Sequence, residues 1–406
     1  MKILILSQVF YPDNVAVSLF MSDLSEQLVK KGHEVHVLAG QYNYEDSAIK
    51  YSRTELWQGV KISRLPNSGM GKKSNLSRMI DFLSFNFLIL ARLLKLNKRS
   101  YDLVISTTVP PMLSFFVSLI AKPKKMNFCY WAMDLQPELS ISAGLVNVNS
   151  LGAKILSFMG DRVFKKADHI FALDEYMRSH IIKKGGNPDK ISLSQLWPVM
   201  NKRDSGSRLQ NEFRQQHQWH DKFVIMYSGN HSLVHPLDTL LQAALQLRYR
   251  NDILFVFIGG GVRKADVTDF KIKNKLNNIV QLPFQPRENV HLSLSAADLQ
   301  VVLMGNEQVG FTHPNKIYGA LYLGKPILYV GPTPSHVTDH LHKLPSNIMV
   351  NHGESKLLAD QITELANNIE KLDSIGQRNL QFAEEHLKPD ALKNKIAHKI
   401  ESLFQS

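Results

Sequence analysis

The stretch richest in chemistry is residues 310–331, GFTHPNKIYGALYLGKPILYVG. Pro314 suits the first position of a helix, where its missing N–H costs nothing. Lys316 then falls in the first turn, among backbone N–H groups that have no helical acceptor. A helix start joined to an ammonium makes an anion site suited to a diphosphate, with His313 and Asn315 beside it. A plain helix start with a solvated lysine also fits this local pattern.

Two further loops are candidates for the same ligand. Tyr227-Ser228-Gly229-Asn230-His231 follows an apolar run, and Gly229 there permits a close backbone approach while Asn230 and His231 offer hydrogen bonds. Gly259-Gly260-Gly261 is followed by Arg263 and Lys264, three glycines and two cations able to wrap an anion. It lacks the Gly-Lys-Ser/Thr ending of a P-loop and the full G-x-G-x-x-G fingerprint, so a flexible turn with exposed cations fits it too. In the first half, Asp134 and Glu138 follow an apolar strand in MDLQPE. A carboxylate there is placed to act as general base or to hold acceptor hydroxyls. An Asp beside a Pro-containing turn is the structural alternative.

Other chemistries find less support. His336 and His340 are four apart, but no glutamate completes a zinc-protease motif, and the histidines read as core or surface residues. No metal and no cofactor is therefore expected. There is no G-x-S-x-G elbow for a serine hydrolase. The lone cysteine, Cys129, lies in an apolar run and reads as a small core residue; with one cysteine no intrachain disulfide forms, which suits a reducing compartment.

These residues need a scaffold, and the pattern supplies one. Residues 3–7 are a short apolar run. Val17, Phe20, Met21, Leu24 and Leu28 then recur at helical spacing, Gly32 stops that helix, and residues 34–38 form a second strand. Strands joined through a helix run parallel. Residues 60–65, 103–107, 127–133 and 169–173 continue the pattern. A polar segment at 201–221 reads as a linker. Strands at 223–227, 253–258, 279–282, 299–304 and 326–330 then restart the alternation around a helix at 237–247. The expected fold is α/β, two Rossmann-like domains facing across a cleft, with ligands at the carboxyl ends of the strands. The expected division is 1–200, linker 201–221, 222–378, and a helical stretch 379–406 crossing back to the first domain.

The 406 residues carry a formal net charge of +12, which favours anionic partners; no nucleic-acid module is present, so nucleic acid is excluded as a partner. Residues 79–96, MIDFLSFNFLILARLLKL, are apolar and aromatic but broken by Asp81 and Arg92, with Lys72, Lys73, Arg78, Lys95, Lys98 and Arg99 around them. This is too polar to span a bilayer but suits a helix lying in its interface, the alternative being a buried core helix. The opening MKILILSQVFYPD reads as a first strand and not as a secretory leader.

Taken in order, LSEQLVKKGHEVHVLAG, MDLQPE, ALDEYMRSHIIKKGGNPDKI, YSGNHSLVHPLDTLLQAAL, FVFIGGG, AADLQVVLM and HPNKIYGALYLGKPIL resemble glycosyltransferase family 4, of the GT-B fold, and especially its bacterial surface-polysaccharide branch. The resemblance implies a nucleotide-sugar donor on the second domain and a saccharide or lipid-linked acceptor on the first. It also implies a cytoplasmic protein, peripheral at the inner membrane face, and hexosyl transfer with retention. Asn315 and Lys316 fall in the family's Pro-Ser-Lys stretch, Gly229 and Asn230 in its first donor loop, and Asp134 at its acidic acceptor position. The chain departs from the family where two glutamates are common, at Phe311 and Gly319, and where Arg and Lys are common, at Asn230 and His235. Its first loop reads Asp13-Asn14-Val15-Ala16 in place of paired glycines. A nucleotide-sugar epimerase on the same fold and a catalytically silent sugar-binding member are the alternatives.

Overall fold

The computed structural model describes residues 1–71, 74–200, 208 and 210–404. It divides into two compact units, residues Met1–Leu196 with Gly310–His313 and Asp390–Ser406, and residues Trp197–Val309 with Pro314–Pro389.

Unit one holds eight strands: β1 (Lys2–Leu6), β2 (Glu34–Gly40), β3 (Thr54–Trp57), β4 (Val60–Leu65), β5 (Leu103–Ser106), β6 (Asn127–Trp131), β7 (His169–Ala172) and β8 (Ile191–Leu193). Their order is β3-β4-β2-β1-β5-β6-β7-β8, and every pair is parallel except β3 with β4. The central strands are buried on both faces, Ile3 through Leu6 completely, which is why they read as unbroken apolar runs. β3 and β8 are edge strands that the sequence reading missed. β3 is half exposed and joins β4 through Gln58 and Gly59, both at positive φ, so it carries no apolar run to betray it.

The helix Asn75–Leu94 shows two faces. Phe85, Ile89 and Leu93 are buried, while Leu76, Met79, Leu83, Phe87 and Leu94 are exposed. The core reading of residues 79–96 holds for the buried face, and the other face is apolar and exposed. Asp81, the helix's acidic residue, points inward and accepts from Gln8, Asn67 and Ser68. Lys72 and Lys73 lie outside the described residues.

Unit two holds β9 (Phe223–Ser228), β10 (Ile253–Ile258), β11 (Ile279–Leu282), β12 (Leu299–Leu303), β13 (Ile327–Val330) and β14 (Ile348–Val350), in the all-parallel order β11-β10-β9-β12-β13-β14. Alternate residues of β9 face opposite ways: Phe223, Ile225 and Tyr227 into one apolar cluster, Val224 and Met226 into another. The strand order reverses between β9 and β12, the crevice where such sheets bind ligands. The loops at 229–231 and 259–261 leave the carboxyl ends of β9 and β10.

Two boundaries differ from the sequence reading. Residues 201–207 and 209 of the expected linker lie outside the described residues, but its later part is folded into unit two. Asn211 caps the helix Glu212–Gln216, Phe213 and Trp219 are buried, and Arg214 pairs with Asp298 in the core. A buried guanidinium reads as polar linker until its carboxylate is seen. The stretch from 379 is two helices, Ile369–His386 and Pro389–Phe404. Asn379 bonds Lys325 O and Asn347 within unit two. The return to unit one begins at Asp390, just after a proline that cannot continue the preceding helix. There Asn394 accepts from Gln27 at 2.6 Å and Glu401 meets Lys31 and His33, each at 3.1 Å.

Candidate active site

Unit two gathers one group of candidates. Gly229, with φ +135°, ends β9, and a Cβ there would stand 2.6 Å from Lys316 Cε. Only glycine admits both that backbone and that side chain. The Lys316 ammonium lies 3.8 Å from the centroid of the Tyr227 ring, a cation–π contact. No carboxylate among the described residues pairs with it. Burial pushes its pKa down to about 7. Tyr227 is buried and donates to Asn230 O at 2.7 Å, tying the loop to the strand below it. Burial pushes the phenol's pKa up.

His231 closes the group. Its backbone N–H and its Nδ1 both donate to Gly260 O, at 2.7 and 3.2 Å. Its Nε2 is buried with no partner among the described residues. Gly261, at φ +131°, packs so closely on His231 O and Asn230 Oδ1 that a Cβ would run into them. Burial lowers His231 to about 4 and His235 to about 3, so both rings are neutral at pH 7. Lys316 is thus the group of this cluster whose charge changes near neutral pH.

Some assignments change. The helix begins at Lys316, not Pro314; Asn315 is its N-cap, without a side-chain cap bond, and Pro314 is buried before it. A proline at that place fixes the entry of the chain but is not the first helical residue. Arg263 is held by Asp266 at 2.6 Å and Asp238 at 3.1 Å, so its charge is already neutralised. Lys264 opens the helix Lys264–Asn274 and is half-buried. His313 belongs to unit one, where its Nδ1 meets Asp174 Oδ2 at 2.8 Å and both groups are buried. Asp174 is also the N-cap of the helix Glu175–Lys183, accepting from Met177 N. A capping carboxylate has a second oxygen with which to seat an imidazole. His340 packs by its ring on Tyr318 and Phe382.

Unit one gathers the second group. Residues 310–313 lie on it as a strap: Leu135 N donates to Phe311 O at 2.8 Å, and Thr312 Oγ1 donates to Asp134 Oδ1 at 2.8 Å. Phe311 stands edge-on to His180 at 4.9 Å. Burial raises the Asp134 pKa, against lowering contributions from Thr312 and His313. Glu138 goes the other way. Burial alone would raise it, but His180 at 3.2 Å and Lys184 at 3.4 Å hold it below the usual range. Of the two carboxylates, Asp134 has the base character, and Glu138 is part of an ion-paired cluster. Sequence reasoning missed Thr312, Asp174 and the ring of Tyr227. All three stood inside quoted motifs, but their partners are distant in sequence.

Comparison with known proteins agrees with this architecture. Residues 16–197 match the glycosyl transferase 4-like domain, and residues 210–382 match the glycosyl transferases group 1 domain. WcaI of Escherichia coli (strain K12), provisionally named a colanic acid biosynthesis glycosyl transferase, is 22% identical over 80% of this chain and 82% of its own. WbjE of Pseudomonas aeruginosa, named a probable glycosyltransferase, is 23% identical over 64% of each chain, so the match spans a little under two thirds of it. Among solved structures, Anabaena Alr3699/HepE, crystallised with UDP and glucose, superposes with a TM-score of 0.73 at 15% identity over 99% of this chain and 100% of its own. WaaG, a glycosyltransferase involved in lipopolysaccharide biosynthesis, gives 0.73 at 12% identity over 98% of this chain and 99% of its own. The fold is the two-domain Rossmann-like GT-B arrangement, and the chain belongs to the glycosyltransferases that join a 4-like domain to a group 1 domain.

Proposed function

We propose that the chain transfers a sugar from a nucleoside-diphosphate donor bound by unit two to a saccharide acceptor, carried on a lipid, bound by unit one. The observation that carries this reading is the Lys316 ammonium, seated on Tyr227 against Gly229 with no carboxylate partner among the described residues. A cation left without a counter-ion at the carboxyl ends of parallel strands is built for an anion that arrives with the ligand. The solved relative with UDP and glucose supports a nucleotide donor of that kind. In this proposal no metal takes part, because Lys316, aided by Lys264, supplies the countercharge.

The chemistry follows from charge. The acceptor oxygen forms a bond to the anomeric carbon, the bond from that carbon to the diphosphate breaks, and the acceptor proton passes to Asp134. Lys316 stabilises the charge left on the departing diphosphate. Asp134, desolvated and oriented by Thr312, is the more basic carboxylate, while Glu138 positions its helix. Hexosyl transfer with retention is part of the proposal and rests on family resemblance; it requires the acceptor oxygen to approach the anomeric carbon from the face that the diphosphate leaves. The exposed apolar face of the helix Asn75–Leu94, with exposed Arg78, Arg92 and Lys95, supports contact with an anionic membrane surface.

One observation favours a silent, sugar-binding member. The positions of the family's two glutamates are occupied otherwise: Phe311 is held in the strap, and a Cβ on Gly319 would meet Met200 at 3.3 Å. Release of nucleoside diphosphate from donor sugars by wild type and by Lys316→Ala separates the readings. The transferase reading expects turnover that falls at least about a hundredfold in the variant. Unchanged turnover removes Lys316 from the mechanism, and binding without any turnover favours the silent member.

A further inference from the structure

Unit one contains a recess, open to solvent, walled by the loops after β5 and β6 and by the helix Leu151–Lys166. Its lining mixes polar groups, Asp134, Gln136, Tyr130, Thr107, Thr108 and Ser114, with a larger apolar share that includes Phe115, Leu156, Met159 and Val163. Such a composition, mostly apolar with a few placed polar groups, is that of a small-molecule site. Two details mark it as built and not incidental. Thr108 is 8% exposed, and its buried hydroxyl has no partner among the described residues. Met112, at φ +73°, holds a left-handed backbone that a side-chain-bearing residue adopts only at a cost.

The apolar wall does not stop at the recess. Leu156, Met159 and Val163 face it, and on the neighbouring stripe of the same helix Leu151, Ile155 and Phe158 are exposed to solvent, 74%, 49% and 65%. Leu145 and Val148 before that helix are exposed as well. Phe115 lines the recess, and Leu119, one turn on, is exposed. The helix carrying Phe115, Leu113–Ile120, packs between Leu151–Lys166 and Asn75–Leu94, whose outward face is the apolar stripe described above. Residues 139–160 contain no acid, and exposed Lys122, Lys125 and Lys154 lie on these helices or beside them. Exposed apolar residues on three neighbouring helices, bordered by cations, fit an anionic amphiphile and disfavour an acidic or polar protein partner.

We infer that this recess is the subsite for the hydrocarbon chain of the lipid-linked acceptor, entered from the membrane-facing helices, with the head of the lipid directed toward Asp134. The inference rests on the transferase reading for the acceptor's identity, but the subsite is testable without it. The chain leaves the bilayer along Leu151, Ile155 and Phe158 and settles on Phe115, Leu156 and Met159. This gives specificity for a single-chain lipid next to the carboxylate that meets the acceptor hydroxyl.

Farnesyl phosphate is the probe, with isopentenyl phosphate as its short-chain counterpart and phosphatidylglycerol vesicles as the bilayer. Calorimetry on the full chain is expected to show farnesyl phosphate binding at least about tenfold more tightly than isopentenyl phosphate. Leu156→Trp and Phe115→Trp, which fill the recess, should each remove that advantage while leaving vesicle cosedimentation and the thermal shift from a nucleoside diphosphate unchanged. Phe158→Glu should weaken vesicle binding and spare farnesyl phosphate. Equal binding of the two phosphates by wild type, or full binding by both tryptophan variants, overturns the subsite. Loss of nucleotide response in wild type, with farnesyl selectivity intact, overturns the transferase reading and leaves the subsite standing.

Discussion

Donor binding should depend on pH through one group. In the free protein, burial sets Lys316 near 7, well below the ordinary lysine value of about 10.4. The other titratable groups around it are Tyr227, pushed up, and His231 and His235, pushed down to about 4 and 3. None of these changes charge between pH 6 and 9. A diphosphate oxygen at about 4 Å attracts the ammonium by about 4 kcal/mol at an effective dielectric near 20. That lifts the lysine's pKa by about three, so the bound lysine stays protonated to about pH 10. Above pH 7, binding must therefore take up a proton, and Kd rises close to tenfold per pH unit. From pH 6 to pH 9 the loss of affinity is about a hundredfold. Fluorescence or calorimetric titration with a uridine, guanosine or thymidine diphosphate sugar, whose phosphates carry no second ionisation in this range, reads it. Lys316→Arg, always charged, should flatten the profile at tight affinity, and Lys316→Met should flatten it at weak affinity. A flat wild-type profile, or a slope that survives in Lys316→Met, refutes the reasoning.

Four other outcomes are expected. Gly229→Ala places a methyl 2.6 Å from Lys316 Cε on a backbone at φ +135°; donor affinity should drop and stability fall by about 1–3 kcal/mol in urea unfolding. Asp134→Asn should reduce turnover by about 10²–10⁴ with donor Kd unchanged, whereas Glu138→Gln should act mainly on stability. Phe87→Asp, on the 71% exposed face of its helix, should reduce cosedimentation with phosphatidylglycerol vesicles without changing soluble donor turnover. Arg214→Met leaves the buried Asp298 only Arg208, 3.2 Å away, as counter-ion, and should destabilise unit two by up to about 3 kcal/mol in urea unfolding.

The sheets were legible in the sequence wherever burial on both faces makes strands uniformly apolar, as in β1, β5, β9 and β10. β3 and β8 were not, because half-exposed edge strands need few apolar residues, and β14, though apolar, is only three residues long. Lys316, Gly229 and Asp134 were legible because each sits just past a strand end or at a helix start, places that local pattern reveals. The role of His313 was not. Its partner Asp174 is 139 residues away, and local spacing carries no information about which unit a strap will lie on. Arg263 looked like a phosphate ligand for the same reason: sequence shows a cation but not the two carboxylates that already hold it. Exposed apolar residues on Leu151–Lys166 were also hidden, since amphipathic spacing does not say which stripe faces water.

The most direct test is a thermal-unfolding screen of the whole chain against uridine, guanosine and thymidine diphosphate sugars, run in parallel on Lys316→Met. One donor at about a hundred times its Kd should raise the wild-type midpoint by about 5 °C or more and leave the variant nearly unmoved. A panel with no effect on wild type, or an equal shift in the variant, contradicts the claim that Lys316 and its glycine loops hold a nucleoside diphosphate.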